Sequence, residues 1–184
     1  WPVLRTDGGA VALSVGVELG GKSACVVFAG ADLEAAARAV SSGAFFNAGQ
    51  VCSAATRLFV EKSVHDQFLE LLVKRASAIR TGDPLAPETT MGPVISEPAM
   101  QRILGMVDRG VGEGARLVAG GKRLQGDHAG GYFLPVTILA DVANGSDLAQ
   151  HEVFGPVLAV TPFDSEEEAI ALANATEYGL GAYI

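Results

Sequence analysis

The sequence is poor in cysteine and in basic residues, and each shortage excludes a class of protein. Only two of the 184 residues are cysteines, too few for a disulfide framework in a chain of this size. Lysines and arginines number 13 against 21 aspartates and glutamates, which gives a formal net charge of −8. Because nucleic acids and anionic membrane surfaces attract basic proteins, we expect neither as a partner.

Long purely apolar segments are also missing. The uncharged run at residues 39–56 is long enough to cross a bilayer, but it contains three serines, a threonine, an asparagine and a glutamine. Hydrocarbon does not tolerate so many polar side chains together. The sequence also opens without the basic-then-apolar pattern of a secretory signal. We therefore expect a cytoplasmic protein with free thiols and no membrane span.

Strand-like and helix-like patterns alternate along the chain. Short apolar runs predict strands at residues 24–28, 57–61, 136–139 and 157–160. Helix starts are predicted where a capping side chain precedes an apolar stripe, at Asp32, Ser63, Ser96 and Ser165. Strands separated by helices predict one α/β domain with a largely parallel sheet. Residues 1–16 contain no convincing element, and residues 181–184 have the character of a strand.

The two cysteines lie in different predicted surroundings. Cys25 is inside an apolar strand, whereas Cys52 follows Asn47 and Gly49 in a loop between a helix and a strand. Asparagine and glycine readily adopt unusual backbone angles. A thiol in such a loop is placed as nucleophiles usually are, although the commoner role of a free cysteine is that of a small buried hydrophobe. From position alone, both interpretations of Cys52 stay open.

A cysteine nucleophile needs a base, and the sequence offers histidines and carboxylates. His65, His128 and His151 do not lie in a pattern typical of cysteine proteases. No group of His, Cys and carboxylate residues has metal-ligand spacing, so no metal site is predicted. Glu18 and Glu152 stand out as candidate carboxylates. A turn acid, or a salt bridge to the lysine four residues on, would also explain Glu18, and an ordinary surface acid would explain Glu152.

Three segments, in this order, resemble the signatures of the aldehyde dehydrogenase superfamily. They are residues 18–22 (ELGGK), 46–52 (FNAGQVC) and 152–156 (EVFGP). The separation of 34 residues between positions 18 and 52 also matches the family, and residues 91–93 and 177–180 resemble further family segments. The resemblance covers roughly residues 17–184.

The resemblance implies a role for each of four residues. Cys52 matches the catalytic nucleophile, Glu18 the general base, Glu152 the carboxylate that holds the nicotinamide ribose, and Phe154 the aromatic residue beside it. It implies a small-molecule aldehyde as substrate, NAD or NADP as cofactor, and oxidation to a carboxylic acid through a thiohemiacetal and a thioester on the cysteine. It also implies a three-layer α/β fold with helices on both faces of the sheet, and a parent enzyme that is a homodimer or homotetramer.

The resemblance further implies domain boundaries. Residues 17–184 match the catalytic domain, and residues 1–16 are expected to be an atypical N-terminal remnant. The cofactor domain and the C-terminal segment of the family are expected to be missing, so the chain is predicted to show no aldehyde oxidation by itself. Two alternatives stay open: an inactive truncated α/β module, and residual thiol esterase activity that needs no cofactor.

Overall fold

The strands and helices follow the predicted alternation. A computed structural model describes residues 5–6, 9–10 and 19–184. The strands are β1 (Arg5–Thr6), β2 (Gly9–Ala10), β3 (Ala24–Val27), β4 (Arg57–Glu61), β5 (Arg116–Ala119), β6 (Thr137–Ala140), β7 (Val157–Phe163) and β8 (Ala182–Tyr183). The α-helices are α1 (Leu33–Phe45), α2 (His65–Ala78), α3 (Glu97–Gly112), α4 (Asp147–Gln150) and α5 (Glu166–Asn174).

The main sheet has the order β5–β6–β7–β4–β3–β8. Every neighbouring pair is parallel except β5 and β6, which are antiparallel. The prediction of a largely parallel sheet is therefore confirmed. Sequence analysis did not find β5, because its residues are exposed or only half-buried and form no apolar run. The strand character of the final residues is confirmed by β8, which pairs in parallel with β3.

The sheet is covered on both faces, as the alternation of side chains along β4 shows. Leu58 and Val60 belong to the larger apolar core, which contains buried residues of α1, α2, α3 and α4. Phe59 lies between them in sequence but packs with Phe163 and with Ala169 of α5. Successive side chains of a strand point to opposite faces, so α5 covers one face and the other helices cover the opposite one. The expected three-layer architecture is confirmed.

Three of the four predicted helix caps are confirmed. The side chains of Asp32, Ser96 and Ser165 each accept a hydrogen bond from the backbone N–H three residues on. The prediction that Ser63 caps α2 is wrong. Residues 62–64 form a 3-10 turn, and the Ser63 hydroxyl donates to Oε1 of Glu61 at 2.9 Å instead. The carboxylate two residues earlier competes for the hydroxyl, and α2 begins at His65 without a side-chain cap.

The first residues of the chain also differ from expectation. β1 and β2 pair as a short antiparallel ladder. The prediction that residues 1–16 contain no element is therefore wrong for residues 5–10.

Within the described residues, no helix combines the length and the apolar composition that a membrane crossing needs.

Candidate active site

The three motifs that resemble the family signatures lead to the same edge of the main sheet, where strands β3, β4 and β7 begin. The loops before β3, β4 and β7 lie together there, because these strands are parallel and each loop leads into the start of its strand. A shallow cavity of about 570 Å³ opens between the loops. Its lining is made by Leu19, Gly20, Gln50, Val51, Cys52, Arg102, Glu152 and Phe154. Ligands in open α/β sheets usually bind at the carboxyl ends of the strands, so this cavity is at the opposite edge from the common one.

The loop that carries Cys52 has an unusual backbone. Asn47, Ala48 and Gly49 follow one another with φ angles of 50°, 55° and 69°, in the left-handed region. Glycine is required at the third position, because a β-carbon on Gly49 would overlap the carbonyl oxygen of Gly155. The close approach of these two backbones joins the cysteine loop to the turn that carries Glu152.

Gln50 fixes the same loop from the other side. Its Nε2 donates to the carbonyl of Asn47 at 3.1 Å, and its Oε1 accepts from the backbone N–H of Ile95 at 2.9 Å. Asn47 Nδ2 returns a hydrogen bond of 3.2 Å to the carbonyl of Gln50. Consecutive residues in the left-handed region raise the conformational free energy of the backbone, and these side-chain hydrogen bonds stabilise the loop in that conformation.

The two cysteines differ as the sequence predicts. Cys52 is exposed in the cavity, whereas Cys25 is buried in β3 with 8% of its surface exposed. Burial raises the pKa of the Cys25 thiol to about 11, because the thiolate would lose its hydration. The backbone next to Cys52 is tied to the last strand, since the Tyr183 hydroxyl donates to the carbonyl of Ser53 at 2.9 Å.

The glycine pair of the first motif brings Glu152 next to the cysteine loop. The backbone N–H of Gly21 donates to Oε1 of Glu152 at 3.1 Å. A β-carbon on Gly20 would overlap the Glu152 carboxylate, and one on Gly21 would overlap the carbonyl oxygen of Cys52. The pair therefore allows a close approach on both sides. Gly20 and Gly21 act as backbone contacts to Glu152 and Cys52 here.

Arg102 of α3 holds the turn that presents Glu152 and Phe154. Its guanidinium donates to the carbonyls of Glu152 at 3.3 Å and of Val153 at 2.7 Å. Phe154 has a φ of 48°, an uncommon conformation for an aromatic residue. Sequence analysis missed Arg102, because an arginine next to an apolar helical position looks like an ordinary solvated residue. Only the fold brings it to the cavity.

Cys52, Glu152 and Phe154 are therefore brought together, and Glu18 lies outside the described residues. The predicted choice for Glu18 between a base and a salt bridge to Lys22 stays open. His65, His128 and His151 do not line the cavity. Among the described residues, no cluster of three or more His, Cys, Asp or Glu side chains could hold a metal ion.

Comparison with known proteins agrees with the resemblance. The family model described as "Aldehyde dehydrogenase family" matches residues 5–184. Betaine aldehyde dehydrogenase of Cereibacter sphaeroides is 49% identical over 168 residues, which are 91% of this chain and 34% of that protein. The chain thus spans about a third of the length of the curated relatives that it matches.

Solved structures share the fold. HpcC of Thermus thermophilus superposes with a TM-score of 0.87 at 48% identity, over 90% of this chain and 33% of that one. Betaine aldehyde dehydrogenase of Staphylococcus aureus, solved in complex with NAD⁺, gives a TM-score of 0.87 at 41% identity, over 91% of this chain and 34% of that one. Since the family model matches nearly the whole sequence, the chain belongs to the aldehyde dehydrogenase family.

Proposed function

We propose that this chain carries the nucleophile and part of the nicotinamide site of an NAD- or NADP-dependent enzyme that oxidises aldehydes to carboxylic acids. One observation carries the proposal. The exposed Cys52 and the Glu152 carboxylate line one cavity, and the Gly20–Gly21 pair contacts both. Family membership and the NAD⁺ complex of a 41% identical relative support the same assignment.

Cys52 is the proposed nucleophile. Its sulfur adds to the carbonyl carbon of the aldehyde and forms a thiohemiacetal. Loss of a hydride from that carbon and of the proton from its hydroxyl leaves a thioester on Cys52, and water then hydrolyses the thioester to the carboxylic acid and the free thiol. The loop geometry suits the first step, because hydrogen bonds at Gln50 and the contact at Gly49 hold the backbone on the N-terminal side of the thiol.

The residues in the cavity fit the nicotinamide half of the cofactor. Of the two carboxylate oxygens of Glu152, only Oε1 accepts a hydrogen bond from residues 19–184. Oε2 is therefore available to accept a hydrogen bond from a ribose hydroxyl. Phe154 supplies an aromatic wall beside this carboxylate. When bound, the cofactor supplies the hydride acceptor. Arg102 positions Glu152 and Phe154 by holding their backbone.

Glu18 is the proposed base that activates the water for thioester hydrolysis. In this proposal, residues 17–184 are the catalytic domain and residues 1–16 an atypical remnant. The assembly of the enzyme as a homodimer or homotetramer stays a prediction.

The test is NAD(P)H formation from several aldehydes by the protein that carries this chain, in its full length. Cys52→Ala should abolish the activity, whereas Cys25→Ala, the matched control, should retain it if the variant folds. Glu152→Gln should raise the KM for cofactor more than that for aldehyde, because an NH2 group, which cannot accept a hydrogen bond, replaces one of the two carboxylate oxygens. Activity that survives Cys52→Ala would refute the proposal.

Glu18→Gln separates the two halves of the reaction. If Glu18 activates only the water, the variant should give a burst of reduced cofactor followed by slow turnover. A burst that slows as much as the turnover would instead show that Glu18 acts on the thiol.

The thiol esterase alternative is tested on the 184-residue chain, and the exposure of Cys52 is the observation that favours it. An activated ester such as p-nitrophenyl acetate should release several equivalents of p-nitrophenol per chain, because Cys52 is acylated and water then hydrolyses the thioester. The Cys52→Ala variant provides the baseline. Absence of release from a folded chain would support the inactive module instead.

A further inference from the structure

Cys52 lies in a tight turn whose conformation sets the direction of its thiol. The backbone N–H of Ala54 donates to the carbonyl of Val51 at 3.0 Å, so Cys52 and Ser53 are the two central residues of a four-residue turn. Cys52 is exposed and lines the cavity of the candidate active site. Because its side chain starts from the middle of the turn, the thiol keeps one direction only while the backbone of the turn keeps its conformation.

Two neighbouring segments contact the carbonyls of this turn. The carbonyl oxygen of Cys52 lies so close to Gly21 that a β-carbon there would overlap it. The next carbonyl, of Ser53, accepts the hydrogen bond of 2.9 Å from the Tyr183 hydroxyl. One peptide of the turn is therefore held by a close backbone contact, and the following peptide by a side-chain hydrogen bond from a distant strand.

The main sheet brings Tyr183 to the turn. Tyr183 lies on β8, opposite Cys25 of β3 in the parallel ladder. Its side chain is 45% exposed and, together with Ala55, lines a groove beside α1. A phenylalanine ring would fill the same space. The hydroxyl is therefore the part of this side chain that phenylalanine would not replace, and it is bonded to the residue that follows Cys52.

Tyr183 does not itself line the cavity of Cys52. Within the described part of the chain, the cavity lining contains Cys52 but neither Ser53 nor Tyr183. An effect of Tyr183 on the reaction must therefore act through the Ser53 peptide, and not by contact with substrate or cofactor. An exposed hydrogen bond contributes little to the stability of a whole chain, whereas a small displacement of a reacting group strongly reduces a rate.

We infer that Tyr183 is a positioning residue for the thiol. By donating to the Ser53 carbonyl, its hydroxyl keeps the turn in the conformation that directs Cys52 into the cavity. The inference rests on the proposed function for the reaction that this positioning serves, whereas the hydrogen bond itself involves no substrate. Tyr183 thus acts on the C-terminal side of the nucleophile, as Gln50 does on the N-terminal side.

Tyr183→Phe removes the hydrogen bond and keeps the ring. In the full-length protein that carries this chain, the single-turnover rate of NAD(P)H formation should fall about 3- to 10-fold, because the thiol spends less time in the reactive direction. The KM for cofactor should not change, since Arg102 holds the turn of Glu152 and Phe154 by separate hydrogen bonds.

Two further measurements separate positioning from a general loss of structure. Amide hydrogen exchange at Ala54, whose N–H closes the turn, should become about 3- to 10-fold faster. Alkylation of Cys52 by iodoacetamide needs no fixed direction of approach, so its rate and its pH dependence should stay within about 2-fold of the wild type. Tyr132→Phe is the matched control, because Tyr132 lies between β5 and β6, and it should change none of these readouts.

A lower single-turnover rate, faster exchange at Ala54 and unchanged alkylation together are the expected result. Unchanged exchange at Ala54 overturns the inference, whatever the activity, and so does an unchanged single-turnover rate. A Tyr183→Phe protein that does not fold also overturns it, because the hydroxyl would then serve the fold. Alkylation that slows as much as the turnover would show that Tyr183 acts on the ionisation or the exposure of the thiol, and would overturn the positioning role.

Failure of the proposed function gives a different result. If the wild type forms no NAD(P)H from any aldehyde, the proposed function is refuted, and acylation of Cys52 by p-nitrophenyl acetate replaces NAD(P)H formation as the readout, since it needs no cofactor. Tyr183→Phe should then slow the release of p-nitrophenol by the same factor of about 3 to 10. An unchanged rate of release would overturn the inference as well.

Discussion

Two units of the chain share one arrangement, a loop that leads into a buried parallel strand at the same edge of the sheet. The first unit is residues 19–27, and the second is residues 46–61. Each contains one cysteine, which lies on the strand in the first unit and in the loop in the second. In the first, bare glycines allow close contacts. In the second, left-handed residues and side-chain hydrogen bonds shape the loop. The comparison teaches that the strand makes a thiol inert, whereas the loop before it can present one.

The largest expected effect is the difference in reactivity between the two cysteines. At pH 8, the Cys25 thiol, with its pKa of about 11, is about 0.1% ionised. Since Cys25 is also buried and Cys52 is exposed, we expect iodoacetamide to label Cys52 roughly 100-fold faster or more. Peptide mapping after brief treatment measures both rates. Equal labelling of the two cysteines in a folded chain would contradict the claim that the strand makes a thiol unreactive and the loop presents one.

Breaking the loop of the second unit should cost stability. Gly49→Ala places a β-carbon against the carbonyl of Gly155 at a φ of 69°, and we expect a loss of about 3 kcal/mol in the free energy of unfolding. Gly43→Ala is the control, because its β-carbon meets nothing closer than 4.0 Å and should stabilise α1 by about 0.5–1 kcal/mol. Urea unfolding measures both, and a neutral Gly49→Ala would show that the loop adapts.

The buried lysine of the first unit should give stability an unusual pH dependence. The Lys22 pKa is about 7 in the folded chain and 10.5 in the reference state, so between these values the unfolded chain binds more protons and stability rises with pH. The destabilisation caused by burying the charged lysine is fully present below pH 7 and decreases by about 1.4 kcal/mol per pH unit above it. From pH 7.5 to 9.5, the wild type should gain about 2–3 kcal/mol over Lys22→Met, measured by urea unfolding in buffers without carboxylates. A constant difference would show that Lys22 is charged when folded.

The smallest effect concerns the hydrogen bonds at Gln50. Gln50→Ala removes its bonds to Asn47 and Ile95, and we expect a loss of about 1 kcal/mol. Gln101→Ala is the control, since this exposed side chain bonds only to Glu97, and should change stability by less than about 0.5 kcal/mol. Amide hydrogen exchange at Ile95 should also become faster in Gln50→Ala alone.

Sequence analysis predicted the parts of this molecule that depend on local pattern. The apolar run at residues 24–28 and the caps at Asp32 and Ser165 depend on neighbouring residues, and the structure confirms them. The motifs around Cys52 and Glu152 indicated the cavity because each is a contiguous segment. Arg102 could not be predicted, because its partners are about 50 residues away and meet it only in the fold.

The cap at Ser63 failed for a related reason. Ser63 has the sequence of a capping residue, but a carboxylate two residues earlier competes for its hydroxyl. A local pattern lists possible partners, and the three-dimensional arrangement chooses among them.

Helix α3 has a consequence for how the site responds to change. Ile95, just before this helix, binds Gln50 of the cysteine loop, and Arg102, within the helix, binds the turn of Glu152. The loop of Cys52 and the turn of Glu152 are thus both hydrogen-bonded to α3 or to the residue that leads into it, and a displacement of α3 moves both in the same direction. The distance between the cysteine loop and the Glu152 turn should therefore be less sensitive to a shift of the whole helix than the position of either one alone.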